Sequence, residues 1–188
     1  DFGDLTLARR RMTGGGLSSS TRGIFASGFV PSPSLDVNII EYVEIATIGN
    51  SLDFGDLSVG SWYVSSFSSP TRGVITEGSD LPIMEFITIS SKGNSVSFGD
   101  STVTTQGRQS CSNAVRGITA GGYGSDSTPG KPLIRSIEFV TIASSGNGQV
   151  FGDLTRSTAY GQAISSNTRG VFTGGYATVG GGANESNT

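Results

Sequence analysis

The feature that most constrains this chain is an interval. Glu41, Glu85 and Glu138 each stand thirteen residues before the phenylalanine of a Phe-Gly-Asp triplet, at Phe54, Phe98 and Phe151. The fullest form of the phrase is Ile137-Glu138-Phe139-Val140-Thr141-Ile142-Ala143, then Gly146-Asn147, then Phe151-Gly152-Asp153. A fourth triplet, Phe2-Gly3-Asp4, is present without the opening of the phrase. A fixed interval inside units of varying total length marks a rigid supersecondary element, with the length changes confined to loops.

A second element follows each triplet. An Arg-Gly pair opens an apolar run at Arg22-Gly23, Arg72-Gly73, Arg116-Gly117 and Arg169-Gly170, eighteen residues after the triplet Phe in the last three copies and twenty in the first. Length varies chiefly after this run, around residues 29–38, 77–82, 123–135 and 176–188. Pro31 and Pro33 exclude a central strand in the first of these loops, and Pro129, Lys131 and Pro132 mark the longest. The chain reads as one repeat domain of four units, 1–38 (lacking its first strand), 39–82, 83–136 and 137–188. Each unit offers about four short strands bounded by turn residues, and helical periodicity is missing. With 29 Gly, and 49 Ser and Thr against 14% charged residues, the surface is made polar by hydroxyls and suits many tight turns. The expectation is an all-β fold.

Units of 40–50 residues with four strands have the size of propeller blades. The pattern resembles the kelch repeat: Val171-Phe172-Thr173-Gly174-Gly175-Tyr176 is an apolar strand running into Gly-Gly-Tyr, and Gly121-Gly122-Tyr123 leads through a variable loop into Ile137-Glu138-Phe139. The first two copies carry Ser27-Gly28-Phe29 and Glu77-Gly78-Ser79 instead, and the triplet Phe stands where the family usually has Trp. The resemblance implies a kelch-like β-propeller with about four blades visible. Ser/Thr/Gly-rich arrays of this kind also resemble those of tailed-phage fibre and appendage proteins.

The recurring residues read as structural. Phe2, Phe54, Phe98 and Phe151 would fill the space between blades. Gly3, Gly55, Gly99 and Gly152 would permit a close backbone approach or a bulge, and Asp4, Asp56, Asp100 and Asp153 would accept backbone N–H bonds in the next turn. Arg22, Arg72, Arg116 and Arg169 would meet loop carbonyls or a carboxylate, with the four aspartates or Glu41, Glu85 and Glu138 as partners. A repeated Asp could hold calcium, but such a site needs six to eight oxygens and the triplets have few acidic neighbours, so no metal and no cofactor is expected.

Other classes find little footing. There is no histidine, which removes the commonest general base, the serine triad and most zinc sites. Glu44, Glu77, Asp80 and Asp126 lie outside the recurring frame and are the candidates for a carboxylate pair, though scattered. Ser51-Leu52-Asp53-Phe54-Gly55 matches an Asp-box only by chance, since the other copies lack its aspartate, and Gly180-Gly181-Gly182 is a flexible tail, not a phosphate loop. A net charge of −3 gives no reason to expect nucleic acid, no run of eighteen apolar residues suggests membrane insertion, and Arg9-Arg10-Arg11 reads as a solvated turn. The lone Cys111 forms no intrachain disulfide.

Four triplets and four Arg-Gly strands meet only three glutamate strands. The chain is therefore expected to be a window from a longer array; a strand supplied by a neighbour, or a four-bladed ring with a gap, are the alternatives. A rigid frame with variable loops points to a non-enzymatic structural and binding module, part of a phage virion appendage or tail fibre and hence virion or extracellular in location. Its partners would be other virion proteins, further copies of itself, or a host-surface glycan or protein. A glycan-processing enzyme on the same scaffold and a kelch-type protein-binding adaptor are the alternatives.

Overall fold

The computed structural model describes residues 1–12, 17–76, 78–79, 81–124, 132–179 and 182–185. Among them all regular structure is β-strand, paired antiparallel. In chain order the strands are β1 (Leu17–Ser18), β2 (Arg22–Ala26), β3 (Phe29–Pro31), β4 (Ser34–Asp36), β5 (Ile39–Glu44), β6 (Leu52–Asp56), β7 (Ser65–Ser68), β8 (Arg72–Thr76), β9 (Ile83–Thr88) and β10 (Val96–Asp100). They continue as β11 (Thr105–Gln106), β12 (Gln109–Ser112), β13 (Arg116–Ala120), β14 (Tyr123–Gly124), β15 (Ser136–Thr141), β16 (Gln149–Asp153), β17 (Gln162–Ser165), β18 (Gly170–Thr173), β19 (Tyr176–Val179) and β20 (Gly182–Glu185).

Three four-stranded sheets share one plan: a serine-containing strand, the Arg-Gly strand, the glutamate strand and the Phe-Gly-Asp strand. They are β1-β2-β5-β6, β7-β8-β9-β10 and β12-β13-β15-β16, and β17-β18 repeats the first two positions. The short hairpins β3-β4 and β19-β20 and the two-stranded pair β11-β14, which brackets β12-β13, are appended, and among the described residues no sheet closes on itself. Each sheet takes its first two strands from one sequence unit and its last two from the next.

Local chemistry explains the plan. The turn from first to second strand is held by a side-chain oxygen at its first residue: Ser19, Ser69, Asn113 and Ser166 each accept the N–H of the Arg three residues on, at 2.8–3.2 Å. In the fourth strand, the register slips where Phe-Gly meets Ile/Met-Glu, between Ile40 and Glu41, Ser97 and Gly99, and Ile137 and Glu138. The bulge turns the triplet Phe out of the ladder while Gly takes a positive φ of 147–156° in all four copies.

The core lies between sheets rather than within one. Ile24, Ile40, Tyr42, Phe54, Leu57, Val64, Ile75, Ile87 and Ile89 pack the first sheet on the second; Phe67, Val74, Met84, Phe98, Val140 and Ile142 pack the second on the third. Each such side chain, fully buried, contributes roughly 1.5–3 kcal/mol. The Gly of the Arg-Gly pair lets the first strand of the preceding sheet approach. A Cβ on Gly73 would stand 2.8 Å from Leu17 Cδ2, one on Gly117 2.6 Å from Phe67 Cζ, and one on Gly170 2.9 Å from Cys111 Sγ.

The residue after this apolar contact is serine in every copy, and these serines stitch the first strands together. Ser68 Oγ donates to Ser18 O (3.0 Å), Ser112 Oγ to Ser68 O (2.8 Å) and Ser165 Oγ to Ser112 O (2.6 Å), with Ser110 Oγ to Ser66 O (2.7 Å) one step along. Thus β1, β7, β12 and β17 stand side by side in chain order.

Candidate functional site

The strand directions sort the connections. The Ser/Asn turns and the Gly-Asn turns lie at one end of the sheets, whereas the connections after each Arg-Gly strand and after each triplet lie at the other. The variable segments therefore share one end.

That end is built on a row of four residues, each nine positions after a triplet Phe: Arg11, Tyr63, Gly107 and Tyr160. All four adopt φ of 56–67°. The conformation turns each peptide towards its neighbour: Tyr63 N–H donates to Arg11 O (2.8 Å), Gly107 N–H to Tyr63 O (3.0 Å) and Tyr160 N–H to Gly107 O (2.8 Å). The single Trp and four of the five Tyr gather here. Tyr63 lies 5.1 Å from Trp62 and 4.8 Å from Tyr160, and Tyr123 lies 6.4 Å from both Tyr160 and Tyr176. The Arg11 guanidinium sits over Phe29, Trp62 and Tyr63, at 4.6–5.5 Å, and Arg10 over the same Phe29. Trp62 N–H donates to Ser79 Oγ (3.1 Å), tying the cluster to the second variable segment. The result is a patch of amphipathic rings carrying two guanidinium groups, suited to stacking and hydrogen bonding with a polar partner.

Behind the patch lie the repeated glutamates, each 0–2% exposed. Each accepts from the second residue after the preceding triplet Asp: Glu41 from Thr6 N–H (2.7 Å), Glu85 from Ser58 N–H (3.2 Å) and Glu138 from Thr102 N–H (2.7 Å). Glu41 also pairs with Arg9, whose side chain is fully buried, and Glu138 with the buried Arg108. Burial by itself would raise the Glu41 carboxyl, but the Thr6 hydrogen bonds, the Arg9 charge and Ser51 outweigh it and hold the group below its usual range. Glu138 is likewise lowered, its burial outweighed by Arg108, Ser101 and Thr102. Burial lowers Arg108, against the pull of Glu138. Glu41 and Glu138 are enclosed, ionised ties across the intersheet contacts.

The triplets form a clasp with the Gly-Asn turn of the next sheet. Phe2 O, Phe54 O and Phe98 O accept from Gly49, Gly93 and Gly146 N–H at 2.7–2.9 Å. Asp4, Asp56 and Asp100 N–H donate to the side chains of Asn50, Asn94 and Asn147 at 3.0–3.1 Å. A Cβ on Gly3, Gly55 or Gly99 would stand 2.5 Å from the carbonyl carbon of the opposing glycine; one on Gly152 would meet nothing within 4 Å. Phe54 and Phe98 fill the intersheet core, whereas Phe151 is 59% exposed.

One expectation is corrected and another narrowed. The aspartate engages the next turn through its backbone; the N–H groups of the turn after the triplet go to the glutamate of the following sheet, whose longer side chain reaches across. Of the partners expected for the repeated arginine, Arg22 and Arg72 meet loop carbonyls and neither expected set of carboxylates. Arg22, Arg72 and Arg116 stack at 4.1–4.7 Å on Tyr42, Phe86 and Phe139, the residues after the glutamates. Arg22 Nη1 donates onward to Ile89 O (2.9 Å), Arg72 Nη1 to Ile142 O (3.1 Å), and Arg22 Nε pairs with Glu44 (3.0 Å). Arg169 lines the cleft beside β18.

The Arg9-Arg10-Arg11 run is likewise no solvated turn: Arg9 neutralises a buried glutamate and Arg11 packs on rings. The two extra residues of the first copy fall between Arg11 and Arg22, not within the run. Arg9, Arg108 and the ring cluster escaped sequence reasoning because neither arginine recurs at a matching position; the constant nine-residue offset of the left-handed row was the legible signal. Among the proposed catalytic carboxylates, Glu44 lies at the tight-turn end with Arg22, while Glu77, Asp80 and Asp126 lie outside the described residues, as do Gly180 and Gly181 of the tail and Pro129 and Lys131 of the longest loop. No protein-family model matches the chain, and no curated protein sequence matches it significantly.

Proposed function

We propose that the chain is a non-enzymatic binding module, built as a kelch-like β-propeller array, that serves in a tailed-phage appendage or fibre and engages its partner through the variable-segment end. The observation that carries the binding reading is the concentration of Trp62, Tyr63, Tyr123, Tyr160 and Tyr176 with Arg10 and Arg11 at the end where the variable segments converge. Supporting the propeller reading are the side-by-side first strands and the clasp that recurs from sheet to sheet with the same residues. The phage placement rests on the resemblance of the repeats. A host-surface glycan or a protein loop suits a ring-rich patch that carries two guanidinium groups.

The sole tryptophan gives the assay. Titration with host-surface polysaccharide fragments should change Trp62 emission, and Tyr160→Ala together with Arg10→Ala should weaken binding at least tenfold without shifting the melting temperature. Binding that survives both substitutions would overturn the loop-end reading. Hydrolysis of the polysaccharide, lost in Glu77→Gln or Asp80→Asn, would replace it with the enzymatic one.

A further inference from the structure

Two complete intersheet junctions, together with the Phe2-Gly3-Asp4 segment clasped on the first sheet, define what a junction contains, and the cleft between the third sheet and β17-β18 holds only half of each contact. At complete junctions the Phe-Gly-Asp strand is clasped by a Gly-Asn turn; among the described residues Phe151-Gly152-Asp153 has no such turn against it, and both Val150 (70%) and Phe151 are exposed. At complete junctions the N–H two residues past the Asp binds a glutamate; Thr155 instead lines a small cavity beside Arg156 and Gln109, a residue 0% exposed whose amide N and O have no hydrogen-bond partner. Arg22 and Arg72 send a guanidinium to a carbonyl at the end of the next glutamate strand; Arg116 lines the open cleft of about 450 Å³ where that carbonyl would stand. Arg169, which in other copies is stacked on the aromatic after the glutamate, lines the same cleft, and Val171 on β18 is 53% exposed.

We propose that this cleft is a strand-acceptor site. Its occupant is an extended segment with the chemistry Ile/Met-Glu-aromatic-aliphatic, followed by a Gly-Asn turn eight and nine residues after the Glu. It adds antiparallel to the edge of β18, and the register follows from the filled copies. In them the residue after Gly of the Arg-Gly pair faces the aromatic (Ile24 and Tyr42, Val74 and Phe86, Ile118 and Phe139) and the next faces the glutamate (Phe25 and Glu41, Ile75 and Glu85, Thr119 and Glu138). Val171 therefore faces the incoming aromatic and Phe172 the glutamate. The carboxylate then reaches Thr155 N–H and the Arg156 side, Arg169 caps the aromatic, and the Gly-Asn turn closes on Phe151-Gly152-Asp153. Main-chain pairing supplies affinity, while the two arginines and the glycine cradle supply selection for this pattern. The interface continues a geometry already present three times in the molecule, and its cationic lining matches a segment bearing a buried carboxylate.

The test uses the whole chain and a synthetic peptide copying Ile83–Ser95 of this sequence. The peptide is expected to bind one per chain and to protect the β18 amides from hydrogen exchange, and the Glu85→Gln peptide should bind about tenfold more weakly, the loss of one charge-assisted contact. Gly152→Ala, which has room for its methyl group in the empty cleft, should abolish binding because the clasp can no longer close, and Arg169→Ala should weaken it. A scrambled peptide that binds as well, an affinity indifferent to Glu85→Gln, or protection elsewhere than β18 would overturn the proposal. This outcome is read separately from glycan binding by the ring patch, since Gly152→Ala and Arg169→Ala leave Trp62, Tyr63, Tyr123, Tyr160 and Tyr176 in place.

Discussion

The four triplet glycines offer a controlled experiment on what holds successive sheets together. Gly99 and Gly152 share nearly the same φ, 150° and 156°, so alanine at either carries the same backbone strain, of order 1–3 kcal/mol. They differ in what lies opposite. At Gly99 a Cβ would meet Gly146 C at 2.5 Å, so the third sheet must draw back and the clasp opens; at Gly152 there is open space. Opening the clasp removes Gly146 N–H to Phe98 O (2.7 Å), Gly148 N–H to Asp100 O (2.8 Å) and Asp100 N–H to Asn147 Oδ1 (3.0 Å). At about 0.5–1.5 kcal/mol each, the three bonds add roughly 1.5–4.5 kcal/mol to the strain. Urea denaturation of Gly99→Ala and Gly152→Ala, followed by circular dichroism, should therefore separate the variants by at least about 1.5 kcal/mol, with Gly152→Ala the milder. Equal destabilisation would refute the reasoning, because it would mean that backbone conformation alone requires the glycine and that the clasp contributes nothing.

Further outcomes follow from the same contacts. The Glu41 and Glu138 carboxyls are held below an unfolded value of about 4.3, so their stabilisation is present above that pH and is lost as pH falls through their folded values; acid titration of the melting temperature should show a decline below about pH 4 that shrinks in Glu41→Gln. Glu138→Gln leaves the Arg108 guanidinium buried without its counter-charge and should cost about 3–5 kcal/mol at neutral pH, measured by chemical denaturation. Gly117→Ala places a methyl group against the buried Phe67 ring and should cost at least about 3 kcal/mol, whereas Gly23→Ala, whose Cβ would meet only Val43 Cγ2 at 3.4 Å, should stay within about 1 kcal/mol of the parent in thermal melts. Arg11→Ala removes the cation from three rings and should red-shift Trp62 fluorescence while costing about 1–2 kcal/mol.

Intervals in the sequence specified a good deal by themselves. The thirteen-residue spacing is the length of a strand, a Gly-Asn turn and a bulged return strand, and strand pairing within about a dozen residues is local physics. The all-β character and the four-strand sheets were legible for that reason. What those groups touch was not, because the partners lie on other strands, some 14–70 residues away. The arginine at each turn cannot tell from its neighbours that an aromatic and the next sheet's carbonyl await it, nor can Arg9 tell that a glutamate thirty-two positions on is buried beside it. The phase of the sheets was equally hidden: hydrogen bonding joins the last two strands of one unit to the first two of its successor. Only packing decided that the scattered Trp and Tyr residues share one end, since the left-handed turn nine residues past each triplet brings them together irrespective of the residue type that occupies it.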